Sequence, residues 1–309
     1  MKWEDFRQSD NVEDRRDEGG GGGFGGFGGG RGGMGGFGGL AGGRGGLGIG
    51  AIIVLTLIGW ALGIDPQALL SGADIVSSGG NQVAMQPAPH SAAPQDKAAR
   101  FASAVLAETE DVWGTVLPAQ AGIEYRRPHL VLFTEATQSG CGFAQAAMGP
   151  FYCPVDQKVY LDLSFFHDLE QRFHAGGDFA NAYVIAHEVG HHVENMLGIL
   201  EKAHAAERKM SQRDANAVSV RVELMADCLA GVWASQADQR WKVLEPGDVE
   251  EAMNAASAVG DDRLQQAAGR RVVPDSFTHG SAEQRVHWFM KGLKGGTINS
   301  CNTFAGKQV

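Results

Sequence analysis

Two histidines and a glutamate with a spacing suited to metal chemistry lie in residues 187–191, HEVGH. On an α-helix, residues four apart lie on one face, so the imidazoles of His187 and His191 can converge on one ion. Glu188 lies about 100° around the helix from His187. That position keeps it from competing as a ligand and lets it reach a water molecule beside the ion. The spacing therefore predicts a zinc site with Glu188 as its general base.

The residues around this motif favour a buried metal site over surface histidines. Two histidines and a glutamate are costly to bury among apolar residues unless a partner compensates them, and a metal ion is such a partner. Apolar side chains precede and follow the motif: Tyr183, Val184, Ile185, Val189, Val193 and Met196. The alternative is an amphipathic surface helix that binds no metal. His192 points away from the predicted metal face and is interpreted as a packing or surface histidine.

A catalytic zinc ion needs a third protein ligand, which a histidine or a carboxylate on a nearby element would supply. Glu223 and Asp227 are four apart in the apolar stretch VELMADCLAGVWA. Two carboxylates buried together repel each other unless cations or donors compensate them. Zinc on Glu223, and a hydrogen bond from the ring N–H of His187 to Asp227, would satisfy both carboxylates. The alternative is an acidic pair on a solvated helix face.

Long helices and a small sheet are predicted to position these residues. Hydrophobic periodicity predicts that the candidate ligands lie on helices over 179–198 and 213–237, packed antiparallel and joined by 199–213. Other helices are predicted over 97–117, 248–258 and 281–293, and strands over 129–134 and 158–166. The predicted fold class is therefore α+β and mostly helical, with a small sheet ahead of the helix that carries the HExxH motif. Two histidine ligands and a glutamate base on one helix are the zincin arrangement, so a zincin-like domain is expected.

Composition divides the 309-residue chain into five segments. Residues 1–18 are dense in charge and are interpreted as a solvated tail or docking peptide. Residues 19–46 are glycine-rich and predict a disordered linker. Residues 47–64 carry no charge and are long enough for a transmembrane helix, with a buried core helix as the alternative. Residues 65–96 indicate an Ala/Ser/Pro linker, and 97–309 the folded domain.

Basic residues suggest an orientation for the predicted span. They precede it at Lys2, Arg7, Arg15, Arg16, Arg31 and Arg44, whereas the first one after it is Lys97. The positive-inside rule then places the N-terminus in the cytoplasm and the domain outside, in a periplasmic or extracellular compartment. Disulfides are possible there, and Cys141–Cys153 and Cys228–Cys301 are the predicted pairs. The net charge of −10 argues against a nucleic-acid partner.

Four stretches of the chain carry a resemblance to a known family: KWEDFRQSDNVEDRR, HEVGHHVEN, ELMADCLAGVWA and THGSAEQR. Together they are similar to the YpfJ-like neutral zinc metallopeptidases, which are membrane-anchored, and the resemblance extends over nearly the whole chain. The layout HExxH…ExxxD is more distantly similar to gluzincin peptidases. That likeness implies one Zn²⁺ per chain bound by His187, His191 and Glu223, with Glu188 as the base and Asp227 supporting His187.

A later side chain often stabilises the oxyanion in gluzincin-like enzymes, and the stretch DSFTHGSAEQR (275–285) offers candidates. The likeness assigns this catalytic role to His279, with Arg285 either orienting it or pairing with a carboxylate. The alternative is an ordinary helix start, in which Ser281 caps the helix and Gln284 completes a capping box.

The leading hypothesis is a membrane-anchored zinc endopeptidase that hydrolyses a peptide or protein substrate outside the cytoplasmic membrane. It would contact the lipid bilayer through residues 47–64. One alternative is a non-catalytic zincin-fold adaptor, whose tail at 1–18 recruits a cytoplasmic partner. Another is a metal-dependent hydrolase of a non-peptide bond. Glu188 favours an enzyme, because a purely structural metal site needs no base.

Overall fold

A computed structural model describes residues 1–18 and 96–306 of the chain. These residues form a mostly helical α+β fold, as predicted. The strands are β1 (Val12–Asp14), β2 (His129–Phe133), β3 (Ala136–Ser139), β4 (Gly142–Gln145), β5 (Phe151–Cys153) and β6 (Lys158–Asp162). The α-helices are α1 (Lys97–Ala121), α2 (Ser164–Gln171), α3 (Asp178–Met196), α4 (Ile199–Glu207), α5 (Gln212–Trp241), α6 (Asp248–Ala258), α7 (Asp261–Ala267) and α8 (Ala282–Gly295). Short 3₁₀ turns cover Ala146–Met148, Pro274–Ser276 and Ile298–Cys301.

The larger sheet has the strand order β1-β2-β6-β5, with β5 antiparallel to its neighbour and the other pairs parallel. Side chains of β2 alternate between two apolar clusters. Leu130 and Leu132 join the main core, and Val131 and Phe133 pack on the opposite face with Tyr160. Burial on both faces explains why β2 reads as a continuous apolar run.

Both predicted disulfides are confirmed. Cys141–Cys153 links the turn of the β3–β4 hairpin to β5, and Cys228–Cys301 links α5 to the last 3₁₀ turn. The four native cysteines are thus all paired. Paired cysteines are typical of proteins from oxidising compartments.

The predicted strand over 158–166 is too long. It ends at Asp162, and the chain turns into α2 directly afterwards. The Asp162 carboxylate accepts hydrogen bonds from the backbone N–H of Ser164 at 2.8 Å and of Glu135 at 2.9 Å. These bonds stabilise the turn, and α2 then carries the apolar residues that had extended the predicted strand. The predicted connection at 199–213 contains a further helix, α4.

Residues 1–18 are folded onto the domain, which corrects the prediction of a solvated tail. Trp3 is only 3% exposed and packs edge-on against Phe101, with ring centroids 5.3 Å apart. β1 extends the sheet through parallel pairing with β2. The sequence pattern missed this because the surfaces that cover Trp3 and pair with β1 lie about a hundred residues further along the chain.

No helix within residues 1–18 and 96–306 is long and apolar enough to cross a membrane. The predicted span at 47–64 lies outside the described residues, as do the glycine-rich stretch at 19–46 and nearly all of the linker at 65–96.

Glu108 in α1 provides a stability prediction. It is buried, and neither carboxylate oxygen has a hydrogen-bond partner in the described part of the chain. Burial, with a smaller contribution from Asp111, raises the pKa of Glu108 to about 8. Because the folded-state pKa of this acid is raised, its protonated form supports folding below pH 4.5, and that stability is lost as pH rises towards 8.

Replacing Glu108 with glutamine should therefore raise Tm by about 5 °C at pH 8 and by less than about 2 °C at pH 5. Thermal unfolding followed by circular dichroism at both pH values measures this. Glu124→Gln, at an exposed position, is the matched control and should change Tm at neither pH. An equal gain for Glu108→Gln at the two pH values would contradict the prediction.

Candidate metal centre

Helix α3 places the three motif residues together in the interior. His187 is 7% exposed and Glu188 is 8% exposed. The imidazole rings of His187 and His191 have centroids 4.8 Å apart. The apolar residues on either side of the motif belong to the main core, so α3 is buried along most of its length. The two imidazoles therefore converge, as the spacing predicted.

Glu223 on α5 meets both imidazoles. Its Oε2 lies 3.3 Å from Nε2 of His187, and its Oε1 lies 3.6 Å from Nε2 of His191. Adjacent ligand atoms in a tetrahedral zinc site are separated by about 3.3 Å, given bonds of about 2.0–2.1 Å. One ligand atom from each residue lies within 4.8 Å of the others. Two nitrogens and one carboxylate oxygen with this spacing fit zinc, with a fourth position left for water or substrate.

A close approach of α3 and α5 brings Glu223 to the histidines. A Cβ atom added to Gly190 would lie 2.9 Å from the carbonyl oxygen of Ala226 and 3.1 Å from its Cα. Both contacts are with backbone, which cannot move aside as a flexible side chain can. Gly190, the fourth residue of the motif, therefore allows the two helices to touch directly beside the cluster.

Valine at position 190 should separate these helices and disrupt the cluster. Overpacking of this kind costs about 1–3 kcal/mol, so Tm should fall by about 5 °C and zinc content should fall well below one ion per chain. Elemental analysis and thermal unfolding measure the two effects. Gly114→Ala is the control, because a Cβ there meets nothing within 4 Å. Full zinc content and unchanged Tm in Gly190→Val would refute the role of this contact.

Asp227 supports His187 rather than joining the three ligands. Its Oδ1 lies 2.9 Å from Nδ1 of His187, which leaves Nε2 directed at Glu223. Arg285 donates to both carboxylate oxygens, at 2.8 and 2.9 Å, and the Tyr183 hydroxyl donates at 2.5 Å. Asp227 is fully buried, and these donors compensate its charge. Of the two roles predicted for Arg285, the structure shows pairing with a carboxylate.

Glu194 gives His191 an equivalent support that the sequence analysis missed. Its Oε2 lies 2.8 Å from Nδ1 of His191, and the residue is fully buried on the same helix. A carboxylate on the second ring nitrogen orients a ligating histidine and raises its basicity. The signal was present in the sequence, since a residue three positions after His191 shares its helix face.

The electrostatics of the cluster favour added positive charge. Burial opposes the charged form of His187, yet Asp227 and Glu223 outweigh that effect and raise its pKa to about 10. Burial also opposes the charged form of Glu223, yet the neighbouring imidazoles, first His279 and then His191, hold its pKa below the usual value. Protons or a divalent cation can supply the charge that these carboxylates require.

Glu188 is buried on the same helix as His187 and His191 and does not belong to the candidate three-ligand cluster. Burial raises the pKa of its carboxyl, and the positive charge of His187 and His191 partly opposes that rise. A carboxylate whose pKa is raised towards neutrality is better suited to accept and return a proton.

His279 is buried in the loop before α8. The Asp261 carboxylate stabilises this loop. It accepts hydrogen bonds from the backbone N–H groups of Thr278, His279 and Gly280 at 2.8, 2.7 and 3.0 Å. Its other oxygen lies 3.2 Å from Nδ1 of His279, so Nε2 is the nitrogen left for other contacts. The positive charge of His279 contributes to the lowered pKa of Glu223. No sequence motif pointed to Asp261.

The helix start predicted for this loop is confirmed. Ser281 caps α8, and Gln284 completes the predicted capping box. His192 is a packing histidine: its Nδ1 lies 3.0 Å from the Tyr152 hydroxyl, and its Nε2 contacts the carbonyl oxygen of Arg126. Burial lowers the pKa of His192 to about 4, so it remains neutral at physiological pH.

Comparison with known protein families shows which family this chain belongs to. The family described as "Putative neutral zinc metallopeptidase" matches residues 1–304. The chain belongs to this zinc metallopeptidase family. The resemblance seen in the sequence is thereby confirmed. The matched range includes residues 1–18, the folded N-terminal segment.

Individual proteins are also similar to this chain over long stretches of sequence. Uncharacterized protein YpfJ of Escherichia coli (strain K12) is 46% identical over 312 residues, which cover both chains completely. Uncharacterized protein Rv2575 of Mycobacterium tuberculosis and Uncharacterized protein Mb2605 of Mycobacterium bovis are each 44% identical over 208 residues. Those matches cover 64% of this chain and 68% of each relative. No solved structure matches this chain.

Proposed function

We propose that this protein is a membrane-attached zinc metallopeptidase that hydrolyses peptide bonds. One observation carries the proposal: the Glu223 carboxylate contacts Nε2 of both His187 and His191. Each histidine also has a buried carboxylate on its other ring nitrogen, from Asp227 or Glu194. Family membership supports the same assignment.

Zinc bound by His187, His191 and Glu223 would supply Lewis acidity, which lowers the pKa of water from 15.7 to about 7 and polarises a peptide carbonyl. The residues of the chain perform the proton transfers. Glu188 accepts a proton from the attacking water and then donates it to the nitrogen of the departing amine. Burial keeps bulk water away from this carboxylate, and its raised pKa suits both transfers.

His279 is proposed to stabilise the negative charge that develops on the carbonyl oxygen. Asp261 holds Nδ1 and the surrounding backbone, which leaves Nε2 as the donor. A donor that is fixed before the reaction stabilises an oxyanion without reorganisation at the moment of bond formation. Asp261 thus acts through His279 as a positioning residue.

The domain is proposed to work in an oxidising compartment outside the cytoplasm, with residues 47–64 contacting the bilayer and a peptide or protein as substrate. Two disulfides support the compartment. The adaptor alternative is weakened by two observations. Residues 1–18 are packed on the domain instead of being free to recruit a partner, and a purely structural zinc site has no need of Glu188.

The test uses the full chain purified in mild detergent, because residues 1–18 belong to the fold. Casein and a peptide library are incubated with the protein, with the protein plus 1,10-phenanthroline, and with the chelated protein after zinc is restored. Zinc is quantified in each sample. We expect about one zinc ion per chain, cleavage of peptide bonds, loss of cleavage on chelation and recovery with zinc.

The other outcomes separate the rival functions. One zinc ion per chain without cleavage of any peptide would favour a binding protein. Zinc-dependent hydrolysis of p-nitrophenyl acetate without peptide cleavage would favour a hydrolase of another bond. Cleavage that persists when zinc is removed would refute the assignment of the metal centre as the active site.

A further inference from the structure

The two described parts of the chain, 1–18 and 96–306, form one folded body. β1 pairs in parallel with β2 in the register Val12↔Leu130, Glu13↔Val131 and Asp14↔Leu132. Backbone bonds continue beyond the strand, from Leu130 N to Asn11 O at 2.8 Å and from Arg15 N to Leu132 O at 2.8 Å. These contacts require both parts to be in the same aqueous phase.

The domain is incomplete without the N-terminal segment. Glu110 on α1 is 1% exposed, and its carboxylate accepts from Ser9 at 2.6 Å, Asn11 at 2.7 Å and Arg7 at 2.7 Å. Removing those donors would take all three hydrogen bonds from a buried carboxylate, which is strongly unfavourable. The N-terminal contact is therefore part of the folded state and not an accessory.

The same segment reaches the helix that carries the metal ligands. The indole N–H of Trp3 donates to the Asp178 carboxylate at 3.0 Å, at the first residue of α3. Trp3 is almost fully buried there. The start of α3 is thus held in part by a residue that precedes the predicted span in the chain.

The ends of the intervening stretch also meet. The Arg16 guanidinium lies 2.7 Å from the Asp96 carboxylate, which also caps α1. The two side chains are partly exposed, so the ion pair itself adds little stability. The ion pair does show that residues 16 and 96, which flank the intervening stretch, lie next to each other in the fold.

The contacts between residues 1–18 and 96–306 conflict with a single membrane crossing in the stretch of chain that joins them. A crossing at 47–64 would place residues 1–18 and the domain on opposite sides of the bilayer. A return crossing would need a second apolar run of about 20 residues. Neither 19–46, which contains Arg31 and Arg44, nor 65–95 has such a run.

We infer that residues 1–18 and 96–306 share one aqueous compartment. This conflicts with the predicted placement of the N-terminus and the domain on opposite sides of the membrane. The inference goes beyond the proposed peptidase function and does not depend on it.

Cysteine accessibility in the full-length protein tests this arrangement. Asp17→Cys and Lys209→Cys each add one thiol at an exposed position, one in each part of the chain. The four native cysteines are paired in disulfides and do not react. Spheroplasts of bacteria expressing each variant are treated with a membrane-impermeant maleimide before and after permeabilisation.

We expect the two variants to label alike, either both before permeabilisation or both only after it. Labelling of one variant before and of the other only after permeabilisation would overturn the inference. The circular dichroism spectrum and the thermal unfolding of each purified variant show whether the domain has folded. Fractionation tests the bilayer contact proposed above for residues 47–64: the full chain should sediment with membranes, and a variant lacking these residues should be soluble with an unchanged circular dichroism spectrum. A full chain that is soluble without detergent would overturn the bilayer contact. Neither readout measures peptide hydrolysis, so failure of the proposed function would leave both results interpretable.

Discussion

Replacing Glu188 with glutamine is expected to abolish peptide hydrolysis while leaving zinc bound at one ion per chain. Glutamine has nearly the same shape as glutamate, so the packing of α3 is preserved. Its amide cannot accept the proton of the attacking water or pass it to the leaving amine. General acid–base catalysis of this kind contributes about 10²–10⁴-fold, so kcat should fall by at least about 100-fold.

The measurement combines kcat on a fluorogenic peptide with zinc analysis of the same sample. Glu201→Gln is the matched control, because it makes the same change at an exposed position on α4. Full activity in Glu188→Gln would end the assignment of Glu188 as the base. Loss of zinc together with activity would mean that this carboxylate holds the metal, in conflict with its position outside the three-ligand cluster.

Replacing Glu223 with alanine is expected to remove zinc from the purified protein. The two imidazoles would keep their supporting carboxylates. The candidate cluster found among the described residues would lose its one ligand from α5. Catalytic zinc sites use three protein ligands, so zinc affinity should fall by at least about 100-fold and hydrolysis should be lost.

Zinc per chain after dialysis and the rise of Tm on adding zinc are the two readouts. Zinc at 100 times its Kd stabilises the folded protein by about 2.7 kcal/mol. Tm of the unsubstituted protein, after chelation, should therefore rise with zinc, whereas that of Glu223→Ala should not. Glu201→Ala serves as the control. One zinc ion per dialysed Glu223→Ala chain would show that another residue is the third ligand.

Local patterns were enough to predict which side chains form the candidate metal cluster. A helical spacing of four places His187 beside His191, and Glu223 beside Asp227, whatever the rest of the fold does. The apolar neighbours of both pairs indicated that each helix is buried. A buried polar cluster has few ways to satisfy its charges, so pairing each carboxylate with an imidazole or a metal followed from chemistry alone. The contacts of α3 and α5 agree with that prediction.

Residues whose partners are distant in the chain were the ones that sequence patterns could not assign. Asp261 belongs to α7, and its role depends on a loop seventeen residues later. Trp3 lies among charged residues, and only the surfaces of α1 and α3 show that it is buried. Residues 158–166 had a pattern compatible with a strand throughout, and the hydrogen bonds of Asp162 ended it early.

The order of residues along the chain thus accounts for the helices, the identity of the candidate ligands and the chemistry that they support, because each of these depends on neighbours within a turn or two. Tertiary packing accounts for the distance between Glu223 and the histidines, which depends on the contact at Gly190. It also places residues 1–18 in the domain, because strand pairing joins segments that the chain separates by about a hundred residues. Pairing and close packing are properties of two surfaces together, and a periodic pattern describes only one of them.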